Sequence, residues 1–274
     1  MAKKKKPSQK PSPTSLYHYT SSEVLLYLLK KIIETKDLSK ENAFLNFHAS
    51  ESTCMNDIRE NEIIRKDLNL ISTNLINRFK QIKEKLYKVY VISFGRYDEK
   101  IPMWNMYGCE SHGISLGFNY KKLISDISII KAGSIEKIDV GKKYLIKCNY
   151  CSVSELNKQA KKLRAQFKTT TDEKDLINLF NKSQLETISN KHDSFSYEDE
   201  YRIITFSNES EFKKGRYGLT EFKEVEIPLC ALERITAGPL CSSNDIEKIE
   251  SLCKIIQNKM EIKINVKKSK LSIR

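Results

Sequence analysis

Apolar positions along this chain switch between a period near two and a period near 3.6, and the switches mark out its elements. Leu16-Tyr17-His18-Tyr19 reads as a short aromatic strand, with Tyr17 and Tyr19 on one side and His18 on the other. Thr20, Ser21 and Ser22 are N-cap candidates for a helix over Ser22 to Ile33, where Val24, Leu25, Leu28, Leu29 and Ile32 recur at helical spacing. A second strand is expected at Ala43 to Phe47, then a loop running into a helix at Cys54 to Glu60 and helical spacing from Asn61 to Leu86. Val89 to Phe94, bounded by Gly95, predicts a strand, as do Gly113 to Phe118, Ile135 to Val140 and Lys143 to Cys148. Residues 153 to 192 hold neither Gly nor Pro and predict one or two helices inserted between strands. Strand pattern returns at Tyr201 to Phe206 and at Lys223 to Ile227, the latter stopped by Pro228. Ile235 to Ala237 leads into a Gly238-Pro239 turn. An amphipathic helix follows over Asp245 to Lys259, capped by Ser243 or Asn244, and Ile262 to Val266 closes the chain as a strand. The irregular alternation favours α+β over a doubly wound parallel sheet.

The ends differ in composition from the middle. Residues 1 to 14 are rich in Lys, Pro and Ser and read as a disordered basic arm, leaving 15 to 274 as one domain. The formal net charge of +13 predicts attraction to polyanions such as nucleic acid, with the arm serving either that contact or solubility. No apolar run approaches the roughly 20 residues that span a bilayer, and the N-terminus lacks an apolar signal segment, so a cytoplasmic location with no membrane partner is expected. Seven cysteines are then reduced thiols. Cys148-x-x-Cys151 lacks a matching second pair, and no metal is expected.

No Gly-x-Gly-x-x-Gly, Walker loop or Gly-x-Ser-x-Gly occurs, which removes support for Rossmann, P-loop and α/β-hydrolase chemistry. Four blocks remain. His18, at a strand end before a capped helix, either donates hydrogen bonds to a ligand or is satisfied by backbone. In Met55-Asn56-Asp57-Ile58-Arg59-Glu60, capping accounts for the acidic residues. Met103-Trp104-Asn105-Met106-Tyr107 carries the single Trp, which reads as core, with Tyr107 open to a pocket role. Glu198-Asp199-Glu200 stands just ahead of Tyr201 to Phe206, where strand geometry puts Glu198 and Glu200 on one face. Two close carboxylates can split their pKa values, one holding a proton while the other stays charged. A solvated acidic turn neutralised by Arg202 is the alternative.

Taken in order, these blocks resemble the bacterial family known as domain of unknown function 2971. Val89 to Phe94, Gly113 to Phe118 and the Ile-Thr-Ala-Gly turn at 235 to 238 complete the likeness. More distantly, an early-strand His, a middle-strand Ser or Tyr, and Glu-x-Glu at a late strand are similar to the ADP-ribosyltransferase superfamily. That resemblance implies a split β-sheet core with peripheral helices and NAD as substrate. It gives the cofactor-binding positions as His18, Tyr19, Thr20, Ser93 and Tyr107, with Glu200 as the catalytic carboxylate and Glu198 as its partner. The middle strand lacks the full Ser-Thr-Ser pattern, and a second Tyr is open among Tyr90, Tyr97 and Tyr107.

The implied reaction is transfer of ADP-ribose to a macromolecular acceptor, nucleic acid or protein, as in bacterial toxins and phage-defence effectors, with an antitoxin or regulatory protein as a further partner. Simple NAD hydrolysis and a non-enzymatic nucleic-acid-binding module are the competing expectations. Only the first two require His18 and Glu200 to face one cleft.

Overall fold

The computed structural model describes residues 12–35, 38–54, 73–130, 138–215 and 218–272. Most of the basic arm, the Met55 to Glu60 block and the expected helical stretch from Asn61 to Ser72 lie outside those residues. The architecture is mixed α/β, dominated by an 11-stranded mixed sheet.

Strand β3, Lys88–Gly95, is the branch point of that sheet. Along one edge it pairs over its whole length with β9, Glu200–Ser207, from Lys88 opposite Ser207 to Gly95 opposite Glu200. Its other edge is shared. β2, Phe44–Glu51, pairs only at Tyr90 and Val91, and β1, Ser15–Thr20, only at Gly95. Ile92, Ser93 and Phe94 are left without a strand partner on that edge among the described residues. The sheet splits there. Beyond β2 lie β11, Gly218–Pro228, and the edge strand β10, Glu211–Gly215. Beyond β1 lie β4, Ile114–Asn119, β12, Leu232–Ala237, and β13, Asn265–Lys268. Beyond β9 lie β6, Lys143–Lys147, and β5, Ser128–Ile130.

Helix α1, Ser22–Glu34, is capped by the Ser21 side chain, which accepts from the Val24 amide, and buries Leu25, Leu28, Leu29 and Ile32. It shares one core with Ile249, Cys253, Ile256 and Met260 of the C-terminal helix Ser243–Met260 and with the inward residues of the split strands. Helix Thr73–Ile82 (α2) contributes Ile82 to a second, smaller core. That core is otherwise formed by helices α5, Val153–Thr169, and α6, Glu173–Ser189. Leu185 and Ile188 of α6 then cover the other face of β3, β6 and β9, so β9 is buried along its whole length. Short parallel strands β7, Asn149–Cys151, and β8, Asn190–His192, clamp the base of the helical insertion expected at 153 to 192. Helices Ile101–Tyr107 (α3) and Tyr120–Leu123 (α4) complete the described set, and the C-terminal helix is α7. No described helix is long and apolar enough to cross a membrane.

Several boundaries differ from the sequence expectation, each for a local reason. β2 runs on to Glu51 because Ala49 and Glu51 continue its buried alternation. Of the strand expected at Ile135 to Val140, residues 135 to 137 lie outside the described residues and 138 to 140 are not strand; Ser128–Ile130 pairs with β6. Ser242, one residue before the expected candidates, caps α7. Ile262 and Ile264 bury as a lead-in, and the last strand begins at Asn265. Strands β10, β7 and β8 were not expected, being short and polar.

Two glycines hold the end of the β1–β4–β12 layer closed. The Gly238 amide donates to the Gly113 carbonyl at 2.8 Å. A Cβ on Gly238 would lie 2.3 Å from the Ser111 carbonyl oxygen, and one on Gly113 would lie 2.3 Å from that of Thr20. Both obstacles are backbone and cannot swing aside. Gly238→Ala is therefore expected to destabilise the fold by about 1–3 kcal/mol. Urea unfolding should show a lower midpoint with an unchanged slope; an unchanged midpoint would show that this turn tolerates a side chain.

Candidate active site

The site is assembled where β9 begins. A 3-10 turn, Asp193–Glu198, delivers Glu198, and Asp199 then adopts a left-handed conformation with φ 42° before Glu200 starts the strand. Positive φ is uncommon for a residue with a Cβ, though Asp tolerates it better than most. This turn, rather than the strand alternation expected from the sequence, brings Glu198 and Glu200 to one place. Asp199 points elsewhere, its carboxylate 3.4 Å from Lys147 and 3.9 Å from Arg96.

Glu198 and Glu200 share Lys191, from β8. Its ammonium donates to Glu198 Oε2 and to Glu200 Oε2, the latter at 2.9 Å. Arg202 grips Glu200 as a fork, Nε to Oε1 at 2.8 Å and Nη2 to Oε2 at 2.9 Å, and sends Nη1 to the Ile188 carbonyl at 2.6 Å. The Ser93 hydroxyl also bonds the Glu200 carboxylate, and the Cys148 thiol lies 3.7 Å from Oε2. Lys191, Glu198, Glu200 and Arg202 are each no more than 4% exposed. The acidic run is thus neutralised in the interior, not by solvent.

The two carboxyls sit differently. Burial alone would raise Glu200, but Arg202 and Lys191 outweigh it and hold the group down at about 2. At Glu198 burial wins over the attraction of Lys191, and the neighbouring Glu200 charge adds to it, so its pKa is raised. Glu198 also accepts from the Tyr107 hydroxyl at 3.0 Å, and burial with the adjacent Glu198 charge pushes that phenol's pKa up. One carboxyl is therefore held firmly as an anion, and the other takes up a proton more readily.

His18 reaches across the split in the sheet. Its Nδ1 lies 2.9 Å from the Ser93 carbonyl oxygen, which can only accept, so Nδ1 carries the proton. Burial lowers its pKa, opposed by that hydrogen bond and assisted by the charge of Lys213. The ring is neutral and packs against Phe47 and Phe94 at 5.2 and 5.7 Å. What it offers a ligand is the Nε2 lone pair, an acceptor, where the sequence led us to expect a donor.

Every residue expected at the site borders one cavity of about 870 Å³: His18, Tyr19, Thr20 and Ser93 together with Tyr107, Glu198 and Glu200. Tyr19 contributes its ring only, because its hydroxyl donates to the loop carbonyls of Tyr97 and Asp98 at 2.9 and 2.7 Å. Trp104 is fully buried against Tyr19, as core. Sequence reasoning missed Lys191 and Lys213, both of which line the cavity. Neither carries a local signal; only the two carboxylates hinted that a buried cation had to be supplied from elsewhere.

Removing the Glu200 charge leaves Arg202 and Lys191 buried and under-compensated. Glu200→Gln is expected to cost about 3 kcal/mol at pH 7. Because the folded-state pKa is depressed, Glu200 contributes stability in full above its ordinary value of 4.5, and that contribution is lost as pH falls through about 2. The gap between wild type and variant in urea unfolding should therefore narrow from pH 7 to pH 3. An equal gap at both would mean the ion pairing does not hold Glu200.

No curated protein and no solved structure matches the chain. Residues 103–203, the stretch that carries Tyr107, Lys191, Glu198, Glu200 and Arg202, match the model of the family described as protein of unknown function (DUF2971), and the likeness read from the sequence holds over that span.

Proposed function

We propose that this protein is an NAD-dependent ADP-ribosyltransferase with a macromolecular acceptor, working in the cavity between β1 and the start of β9. The observation that carries the reading is the placement of His18 and the Glu198–Lys191–Glu200 cluster on the walls of one cavity, at a gap in a split sheet. A split sheet core is what the likeness to that superfamily implies, and the branching at β3 supports it.

The two carboxylates divide the work. Glu200, saturated by Arg202, Lys191 and Ser93, fixes the geometry. Glu198 is the reacting group, since it lines the cavity beside Tyr107 and its raised pKa lets it take up a proton more readily. Ionised, it accepts a hydrogen bond from the nicotinamide-side ribose as the C1′–N bond breaks. The bonding pair leaves with the pyridinium nitrogen, giving neutral nicotinamide, and the oxocarbenium-like ribosyl cation forms beside the carboxylate. The acceptor nucleophile then closes on C1′ and its proton passes to Glu198. His18 accepts a hydrogen bond from a ribose hydroxyl or the carboxamide through Nε2, and Tyr107 orients Glu198.

Nucleic acid is the acceptor favoured by charge. Helix α5 buries Leu156, Ala160, Leu163 and Phe167 and exposes Lys158, Lys161, Lys162 and Lys168 on the opposite side. The same basic face favours a second reading, a nucleic-acid-binding module without turnover, in which the carboxylate cluster is structural.

Incubation with NAD labelled in the ADP-ribose part, with separate pools of RNA, DNA and protein, distinguishes these readings. The expected result is nicotinamide release with label on the nucleic acid; free ADP-ribose alone would indicate hydrolysis. Glu198→Gln should lower kcat by about 10²–10⁴-fold. Ionised Glu198 is the base, so the wild-type rate should rise with pH through a pKa above the usual carboxylate range, a limb the variant loses. Salt-sensitive nucleic-acid binding with no nicotinamide release in any pool would leave the binding module standing and sink the enzyme.

A further inference from the structure

Away from the carboxylate cluster the cavity has a second, differently built wall. Lys213, on the edge strand β10, lines it together with His48 and Asn46 of β2 and Tyr27 of α1. The Lys213 ammonium lies 5.3 Å over the Phe222 ring, and the His48 ring stacks on the same Phe222 with centroids 4.0 Å apart. His48 is fixed in turn. The Tyr27 hydroxyl lies 2.6 Å from its Nε2 and 3.0 Å from Glu224 Oε1. A carboxylate oxygen accepts here, so the phenol donates to Glu224, and its oxygen accepts a hydrogen bond from the His48 Nε2–H.

Lys213 is only partly exposed, and no carboxylate among the described residues comes within the 4.0 Å of an ion pair. Glu224 is occupied by Tyr27 and Asn46, and Glu211 acts on His48 at longer range. Burial lowers the pKa of His18 and of His48, and the Lys213 charge adds to that lowering at both. A partly desolvated cation facing a cavity, with no counter-ion among the described residues, is costly in the empty protein. A strongly accepting anion relieves that cost, and a phosphoryl group makes charge-assisted hydrogen bonds to an ammonium.

We propose that Lys213 is the cation of a phosphoryl-binding subsite in this cavity, walled by His48 and Phe222. The proposal rests on the nucleotide reading above, and it makes the ligand one that carries phosphate as well as a reacting ribose. Exposed Lys214, which also lines the cavity, is an auxiliary charge.

Calorimetric titration with ADP and with adenosine tests it without any turnover. Wild type is expected to bind ADP at least tenfold more tightly than adenosine, with the difference shrinking as salt rises. Lys213→Met should remove that preference while leaving adenosine binding unchanged, and Lys213→Arg should keep most of it. Loss of a partly buried charge with no carboxylate partner among the described residues should not lower the melting temperature of Lys213→Met; if that variant nevertheless fails to fold, Lys213→Gln serves in its place. Equal ADP affinity in wild type and variant, or no preference for ADP over adenosine in wild type, overturns the subsite. Glu198→Gln should bind ADP normally. ADP binding that depends on Lys213 in a protein that never cleaves NAD would uphold the subsite and reject the transferase reading. NAD cleavage with a KM indifferent to Lys213 would do the reverse.

Discussion

A charged side chain in a protein interior has to be matched at the place where it is buried, and in this chain the demand falls on the first turn of β9. Glu200 and Arg202 are two residues apart on one face of a strand buried from end to end. Neither is tolerable there alone. Their fork, completed by Lys191, ties three things together: β9 itself, the C-terminal end of α6 through the Ile188 carbonyl, and β8. Hydrophobic residues of similar volume would hold those elements at least as firmly. What the ionic version adds is direction, since each partner's position is fixed by the donors and acceptors of the others.

The helical insertion follows from this constraint. Helices α5 and α6 have a core of their own and sit outside the main sheet, which would suit an ornament. Yet Lys191 follows directly on α6, and β8 is pinned to β7 so that this lysine returns under Glu198. The insertion supplies the cation without which the acidic run cannot be buried. Ser93 joins the same network to the split in the sheet, its hydroxyl on Glu200 and its carbonyl on His18. His18 and the ion cluster are thereby held to one residue of β3.

Much of the fold was legible because burial writes a period into the sequence. Val89 to Phe94 and Tyr201 to Phe206 emerge as neighbouring central strands, and Leu25, Leu28, Leu29 and Ile32 as the inner face of α1. Short polar strands left no such trace. β10 and β8 are held by their neighbours, so Lys213 and Lys191 were indistinguishable from the many surface lysines of a chain with a net charge of +13. The carboxylate run was legible as a question, because three adjacent negative charges before a buried strand require compensation. Its answer lay in tertiary structure. Even the convergence of Glu198 and Glu200, reached from strand alternation, comes about through a left-handed Asp199 that no periodicity encodes.

The two ends of the cavity have been balanced in opposite ways. At the β9 end, with Glu198 ionised, two carboxylates meet two cations and the charges cancel; protonating Glu198 leaves one positive charge unmatched. At the β10 end the Lys213 charge has no carboxylate partner among the described residues, and its field reaches His18. Burial is the main reason the His18 pKa is low, and a ligand that brings negative charge near Lys213 would offset only the lysine's smaller share. Charge arriving at one end would therefore be felt, through that smaller share, by a residue that faces the other. On the proposed nucleotide reading, a phosphate at Lys213 would also weaken the one neighbouring charge that disfavours protonation of His18.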